Sequence, residues 1–339
     1  MEKIKVQEAV GKVLCHDITM IIPGKVKKRA FKKGHIIKDE DIDVLLSIGK
    51  DNIYVFEKQE GMLHENDAAK RLKKLVAGEG LEFSDLSEGK ITFIAKYDGL
   101  VKINKEELFK LNYLGEICFS TIHNNTPVKK GQKLAGIRVI PLIIDENKIL
   151  EAEDKIKEKI IKVVPIKSKK VGIVTTGNEV YYKRIKDAFS PVIKDKVGEY
   201  NCEVIRQKIL PDDKEKISSA IKEFIDEGAE LIVCTGGMSV DPDDVTPGAI
   251  KNTGANIISY GSPVLPGAMF LVSYYNNIPI LGLPGCVMYN KRTVFDLVLP
   301  RVLAEERLEY KDIIEYGHGG FCMNCEICNF PKCGFGKGV

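Results

Sequence analysis

The strongest constraint on the fold is the alternation of short apolar strands with helical segments after residue 170. Four segments have the composition of buried strands: 170–177, 203–210, 230–237 and 278–285. Between the second and the third, apolar residues recur at the spacing of one helix face: Ile217, Ala220, Ile221, Phe224 and Ile225. Strands that alternate with helices in this way form a sheet covered by helices on both faces. We therefore predict an α/β domain at 170–307, with three α/β/α layers and a mostly parallel sheet.

The rest of the chain divides into four smaller segments. Residues 1–87 mix helices with short strands, and 88–146 have the strands and turns of a small β-barrel or sandwich. Two of those strands are predicted to flank a turn at Asp98-Gly99. A charged helical linker (147–169) precedes the α/β domain, and a cysteine-rich tail (308–339) follows it.

Composition excludes several classes of protein. The 339 residues are 44% hydrophobic and 29% charged, which is typical of a globular protein. A net charge of +3 gives no reason to expect a nucleic-acid partner, and no apolar run is long enough to cross a membrane. The first residues, MEKIKVQEAV, lack the apolar core of a signal peptide, so we expect a cytoplasmic protein.

Glycines and carboxylates collect where three of the predicted strands end. The loops read TTGNEV, CTGGMSVDPDD and GLPGC. Ligands of parallel α/β sheets bind at the carboxyl ends of the strands, and glycine allows a ligand to approach the backbone there. Asp241, Asp243, Asp244 and Glu179 could hold Mg²⁺ together with a phosphate of the substrate. Alternatively, the aspartates only cap a helix that begins at Thr246-Pro247, as N-cap and first residue.

The same segments resemble the molybdopterin-binding domain of molybdenum cofactor biosynthesis proteins. Four motifs carry the resemblance, in the family's order: VGIVTTGNEV (171–180), VCTGGMSVDPDDVTPGAI (233–250), GSPVLPGAMF (261–270) and ILGLPGCVMYNKRTVFDLVLPRVL (280–303). An earlier stretch, FKKGHIIKDEDIDVLLSIGKDNIYVF (31–56), resembles part of the molybdopterin molybdenumtransferases. The resemblance implies that the chain binds molybdopterin or its AMP adduct, and that Mg²⁺ and molybdate assist metal insertion.

The resemblance also implies roles for individual residues. Gly236, Gly237 and Ser239 would cradle the pterin or its phosphate, in a pocket that also includes Thr176, Gly177 and Asp241. Glu179 and Asp244 would be the catalytic carboxylates that bind magnesium or molybdate. Asp212 is a further catalytic candidate, although it could equally cap the helix that follows it. The pairs Pro266-Gly267 and Pro284-Gly285 would line the pocket wall, or would serve only as turns.

Departures from the family pattern leave the exact activity open. The Ser-Ala-Met-Asp-Gly-Tyr-Ala stretch of the molybdenumtransferases has no counterpart in residues 1–57, and the family's final Leu-Pro-Gly-Asn-Pro reads LPGCV here. Besides a molybdenumtransferase, the chain could be a molybdopterin adenylyltransferase. It could also be a non-catalytic carrier that delivers the finished cofactor to an apo-molybdoenzyme. A symmetric homo-oligomer is common in this family.

Four of the nine cysteines lie in the tail at metal-ligand spacing. The stretch GHGGFCMNCEICNFPKC (317–333) places Cys322, Cys325, Cys328 and Cys333 in a C-x₂-C-x₂-C-x₄-C pattern. Four thiolates can complete a tetrahedral Zn²⁺ site, and the first three also match the run found in iron–sulfur proteins. The sequence therefore predicts Zn²⁺ or an iron–sulfur cluster here, with a disordered tail of free thiols as the alternative.

Overall fold

The computed structural model describes residues 2–22, 26–55, 60–239 and 241–338. Phe56, in the stretch that resembles the molybdenumtransferases, and Val240, in the glycine-aspartate motif, lie outside the described residues.

The strands, in chain order, are β1 (Glu2–Lys5), β2 (Ile18–Ile22), β3 (Val26–Phe31), β4 (Asn52–Val55), β5 (Met62–His64), β6 (Leu81–Phe83), β7 (Ile91–Ala95), β8 (Gly99–Ile103), β9 (Ile117–Thr121), β10 (Pro127–Val128), β11 (Lys133–Val139), β12 (Ile143–Asp145), β13 (Ile161–Pro165), β14 (Lys170–Thr176), β15 (Glu203–Leu210), β16 (Leu231–Thr235), β17 (Asn256–Tyr260), β18 (Leu271–Tyr275) and β19 (Ile278–Leu283). The α-helices are α1 (Asp39–Ser47), α2 (Glu65–Val76), α3 (Lys105–Tyr113), α4 (Glu146–Lys155), α5 (Asn178–Tyr181), α6 (Phe189–Gly198), α7 (Lys214–Asp226), α8 (Thr246–Asn252), α9 (Val294–Leu303) and α10 (Tyr310–Ile314). Short 3₁₀ turns cover Val6–Glu8, Gly285–Met288 and Glu315–Gly317.

The predicted three-layer domain is confirmed. Its sheet has six strands in the order β15-β14-β16-β19-β18-β17. The first four strands are parallel, and β18 and β17 add an antiparallel edge. The four predicted strands match β14, β15, β16 and β19 to within two residues at each end.

Alternate residues of the parallel strands point to opposite faces of the sheet, and each face carries its own helices. Ile173 and Val233 lie in an apolar core with residues of α6 and α9. Their neighbours Val174 and Cys234 lie in a second core with residues of α7 and α8. Both faces of β14, β16 and β19 are therefore covered, which explains why these three strands are mostly apolar.

Helix α7 begins one residue later than the capping prediction required. Asp213, not Asp212, is its N-cap, and the Asp213 side chain accepts hydrogen bonds from the N–H groups of Glu215 and Lys216. The interpretation of Asp212 as the helix cap is therefore wrong. Gly228 follows the helix at a φ of +92°, the left-handed conformation in which glycine commonly ends a helix.

The chain divides into two compact units. The first comprises Met1–Lys96, Ile103–Ile122 and Gly131–Lys162, and the second comprises Tyr97–Lys102, His123–Lys130 and Val163–Val339. In the first unit, β6-β7-β11-β9 form a four-stranded antiparallel sheet. As predicted, two strands, β7 and β8, flank the turn at Asp98-Gly99. They do not pair with each other, because β8 pairs with β10 in a three-stranded sheet, β10-β8-β13.

The segment after residue 307 belongs to the second unit. Leu308, Ile313, Tyr316 and Phe335 are buried in the same apolar core as α6 and α9. The segment predicted from the sequence to be a separate tail therefore completes the core of the α/β domain. Among the described residues, no helix combines the length and apolarity needed to cross a membrane.

Candidate functional site

The candidate site lies where four parallel strands end side by side. In sheet order, β15 leads into Pro211-Asp212, β14 into Gly177-Asn178, β16 into Gly236-Gly237, and β19 into Pro284-Gly285. The sequence analysis placed three of these loops at one edge, and the structure adds the loop after β15. The three glycine-containing loops, after β14, β16 and β19, therefore lie on the carboxyl edge of one sheet, where ligands of such sheets bind.

Gly236 is required by the close approach of two neighbouring strand ends. Its φ is +83°, and a Cβ atom there would lie 2.0 Å from the carbonyl oxygen of Thr176. Gly237 has a φ of +51°, and a Cβ atom there would lie 3.0 Å from Oγ1 of Thr246 and 3.3 Å from Oγ1 of Thr176. The glycine pair is therefore explained by packing within the protein, whatever contacts it also makes with a ligand.

Buried hydroxyl groups fix the loop behind this glycine pair. Oγ1 of Thr176 and Oγ1 of Thr246 are 2.9 Å apart and share a hydrogen bond. Thr246 is the first residue of α8, and Val245 takes the N-cap position without a side-chain hydrogen bond, so the prediction of Thr246 as N-cap is wrong. Thr235 Oγ1 is buried and has no hydrogen-bond partner among the described residues.

The two carboxylate oxygens of Asp212, at the carboxyl edge of the sheet, have different surroundings. Its Oδ2 accepts a hydrogen bond of 2.9 Å from the N–H of Asn178. Its Oδ1 is buried and has no hydrogen-bond partner within the part of the chain that the structure describes. Burial raises the pKa of Asp212, and the charges of Glu179, Asp243 and Asp244 raise it further, while the Asn178 bond opposes them. A buried, unpaired carboxylate oxygen in a cluster of negative charge is costly unless a cation or a donor approaches it.

Glu179 lies in the short helix α5, which follows β14, and its side chain is exposed. A Cβ atom on Gly177 would lie 2.8 Å from Oε1 of Glu179, so this carboxylate folds back over the glycine. The φ of +137° at Gly177 lies in a region that residues with a side chain rarely adopt. Gly177 thus leaves the space in which the Glu179 carboxylate lies.

Asp241 and Asp244 close a turn with each other and do not cap α8. The N–H of Asp241 donates to Oδ2 of Asp244 at 3.1 Å, and the N–H of Asp244 donates to the carbonyl of Asp241 at 2.9 Å. Asp241 is exposed and Asp244 is half-buried. The alternative that these aspartates only cap the following helix is therefore wrong, because α8 has no side-chain cap.

Tyr260, at the end of β17, also fixes the loop that follows β16. Its hydroxyl lies 2.9 Å from the carbonyl oxygen of Met238 and 3.1 Å from that of Ser239. Burial raises the pKa of the Tyr260 hydroxyl, and the nearby charge of Asp244 adds to the effect. Sequence analysis did not identify Tyr260, since no motif connects an isolated tyrosine to a loop some twenty residues earlier.

The two Pro-Gly pairs have different surroundings. A Cβ atom on Gly267 would lie 2.5 Å from Cγ1 of Val294, and the Pro266 carbonyl accepts a hydrogen bond from the Val294 N–H. Pro266-Gly267 therefore packs against the first turn of α9. Gly285 is exposed, and no atom lies within 4 Å of the position where its Cβ would be. Of the two pairs, Pro284-Gly285 is the one whose backbone is open to a ligand.

The predicted metal ligands are not gathered into a preformed cage. Within the described ranges, no three His, Cys, Asp or Glu side chains are placed to hold one ion. Cys322 and Cys333 are half-buried, Cys325 and Cys328 are exposed, and all four are free thiols. The carboxylates of the sheet edge are close enough for their charges to act on Asp212, but they do not form a ready triad.

Two regions of the chain match known families. Residues 172–304 match the family described as a probable molybdopterin binding domain. This segment belongs to that domain family. Residues 3–57, which include the whole stretch that resembles the molybdenumtransferases, match a domain of unknown function, DUF8806.

Individual relatives resemble only part of the chain. A molybdopterin molybdenumtransferase from Synechococcus elongatus is 26% identical over 133 residues, which are 36% of this chain and 33% of the relative. A CinA-like protein from Mycobacterium avium is 37% identical over 79 residues, which are 23% of this chain and 18% of the relative. The matches thus span a third or less of the length of these relatives.

One similar solved structure is the molybdopterin biosynthesis enzyme MoaB from Thermus thermophilus. It is 22% identical, and the match covers 40% of this chain and 91% of that structure with a TM-score of 0.34.

Proposed function

We propose that this protein acts in molybdenum cofactor biosynthesis as a molybdopterin molybdenumtransferase. In this proposal it binds molybdopterin or its AMP adduct at the carboxyl edge of the six-stranded sheet, and it inserts molybdenum from molybdate with Mg²⁺. The family of residues 172–304 supports the pterin ligand. Asp212 is the observation that supports placing the reaction at this edge. Its buried Oδ1 has no partner among the described residues, and burial together with three nearby carboxylates raises its pKa.

The carboxylates at this edge suit Mg²⁺ better than a metal that needs a full protein cage. Magnesium is usually bound by one or two carboxylates, with waters and substrate phosphates completing its shell. The lack of a preformed triad in the described ranges is compatible with that mode. Asp212, Glu179 and Asp244 are the residues that would hold the ion. When bound, Mg²⁺ would neutralise negative charge on the phosphate groups of the adduct.

Other residues of the edge would bind and orient the ligand. The exposed backbone at Gly285 and the loop that begins at Gly236-Gly237 follow the neighbouring strands β19 and β16. The Thr176–Thr246 and Tyr260 hydrogen bonds hold the second of these loops in place. Because this scaffold is fixed before the ligand arrives, little ordering would oppose binding.

One pair of incubations distinguishes the proposed activity from its alternatives. The protein is mixed first with molybdopterin, Mg²⁺-ATP and molybdate, and then with the preformed AMP adduct, Mg²⁺ and molybdate. Loss of the adduct with uptake of molybdenum supports the transferase. Formation of the adduct in the first mixture would identify an adenylyltransferase. Tight binding without either reaction would identify a carrier, which would then require an apo-molybdoenzyme as its partner.

Neighbouring aspartates provide a matched test of the site. Asp212→Asn removes the charge that is proposed to meet Mg²⁺, so turnover is expected to fall at least about 100-fold, which corresponds to roughly 2.7 kcal/mol of transition-state stabilisation. Asp213→Asn is the control, since Asp213 caps α7 and asparagine caps helices about as well as aspartate. Equal activity of the two variants would contradict the role of Asp212.

A further inference from the structure

Residues 320–335, named here the cysteine loop, form a closed loop on the α/β domain. At its base, the N–H of Gly336 donates to the carbonyl of Gly319 at 2.9 Å. The start of the loop is tied to Leu265 by two hydrogen bonds of 2.8 Å each. The N–H of Leu265 donates to the carbonyl of Gly320, and the N–H of Cys322 donates to the carbonyl of Leu265. The alternative of a disordered tail does not describe this segment, because both of its ends are tied to the domain.

The two outer cysteines are held by the core. Cys322 and Cys333 are half-buried and pack against the apolar core that contains α9. Phe335, two residues after Cys333, is only 5% exposed. The first and last thiols of the C-x₂-C-x₂-C-x₄-C pattern therefore have fixed anchor points.

The span between them has almost no packing of its own. Residues 323–329 are all exposed, including the apolar side chains of Met323 (81%) and Ile327 (77%). A hydrogen bond of 2.9 Å from Nζ of Lys291 to the carbonyl of Glu326 ties the span to the domain. Ordering these seven backbone residues costs conformational entropy, and exposed side chains do not offset that cost. An ordered span of this kind requires a further link.

The chemistry available for that link is the four thiols of the loop. Near the end of the loop, the half-buried ammonium of Lys337 donates a hydrogen bond to the carbonyl of Pro331. We propose that Cys322, Cys325, Cys328 and Cys333 form a four-thiolate centre for Zn²⁺. Four thiolates saturate a tetrahedral ion and leave no open position, so the site is structural.

Metal binding at this centre is coupled to the conformation of the loop. Since no three potential ligands are grouped within the described ranges, the four thiols must come together for the shell to close. Such coupling of metal binding to ordering is usual in small zinc-binding segments. The loop lies against the segment after Gly285–Met288 through Lys291 and through Arg292, whose guanidinium stacks on Phe330. Zinc would therefore restrain the segment at Lys291 and Arg292 without taking part in the chemistry of the candidate site.

Metal analysis of the full-length chain, purified without oxygen, tests the proposal. We expect about one zinc per chain and no acid-labile sulfide. Cys325→Ser should lose the zinc, whereas Cys118→Ser, which alters a thiol on β9 outside the loop, should keep it. Iron with an equal amount of sulfide would overturn the zinc assignment in favour of a cluster. Loss of zinc in the Cys118 variant would overturn the choice of ligands.

A second measurement avoids variants that fail to fold. The metal-free wild-type chain is titrated with Co²⁺, which replaces Zn²⁺ in tetrahedral thiolate sites. Thiolate-to-cobalt charge-transfer absorption that saturates at one equivalent and is displaced by Zn²⁺ supports the centre. Neither zinc nor iron in the purified protein, together with no cobalt absorption, would overturn it. Neither readout involves molybdopterin, so failure here is distinct from failure of the proposed function.

Discussion

Substitution of Gly236 by alanine is expected to destabilise the α/β domain before it affects any ligand. The change places a methyl group 2.0 Å from the Thr176 carbonyl oxygen, at a backbone φ of +83°. For a residue with a side chain, the left-handed conformation alone costs ~1–2 kcal/mol. Relief of the clash requires β14 and β16 to separate locally, at a cost of ~1–3 kcal/mol that is typical of overpacking.

The two contributions add to ~2–5 kcal/mol, which for a domain of this size lowers Tm by roughly 5–20 °C. Urea unfolding followed by circular dichroism measures the loss. Gly285→Ala is the matched control: its Cβ meets no atom within 4 Å, so its stability should stay within about 0.5 kcal/mol of wild type. If Gly236→Ala unfolds at the wild-type urea concentration but no longer binds molybdopterin, the packing argument is refuted and the glycine serves the ligand.

Three further predictions concern the site and the end of the chain. Asp244→Asn should abolish turnover with little loss of stability, since asparagine can also accept the Asp241 N–H; full turnover would remove Asp244 from the site. Because the pKa of Asp212 is raised in the folded state, the stability of wild type relative to Asp212→Asn should fall as pH rises from about 4 through that raised pKa, and then level off. A constant difference in urea titrations would contradict this. Truncation after Arg307 should unfold the α/β domain, because it removes buried residues such as Tyr316 and Phe335; a cooperative melt at the wild-type temperature would show otherwise.

The centre of the sheet was predictable because β14, β16 and β19 are buried on both faces. Segments such as 170–177 and 230–237 show apolar composition with turn residues at their ends, and helix α7 shows a clear apolar stripe. Strand pairing was harder to predict. The strand pattern of 88–146 identified β7 and β8 as strands, but it carries no information about which strand β8 pairs with.

The sequence indicated that several loops meet at the sheet edge, but it did not give the arrangement of the residues within them. Asp212 and Asp213 are adjacent and chemically identical, so the sequence could not decide which one caps α7. The packing role of Gly236 depends on Thr176, 60 residues earlier, and no local pattern encodes that contact. The burial of Phe335 could not be predicted, because the residue lies among cysteines and glycines, and that composition indicates an exposed tail.

The burial of Phe335 has a consequence for the order of events during protein synthesis. The apolar core around α9 lacks a side chain until residue 335 has emerged from the ribosome, although β14 to β19 are made much earlier. Domains usually fold as units, so this one must hold its sheet in an incomplete state while the segments after β19 are translated. During that interval the apolar surface that later receives Phe335 is open to chaperones and proteases. A chain that stops short of this residue would keep that surface exposed.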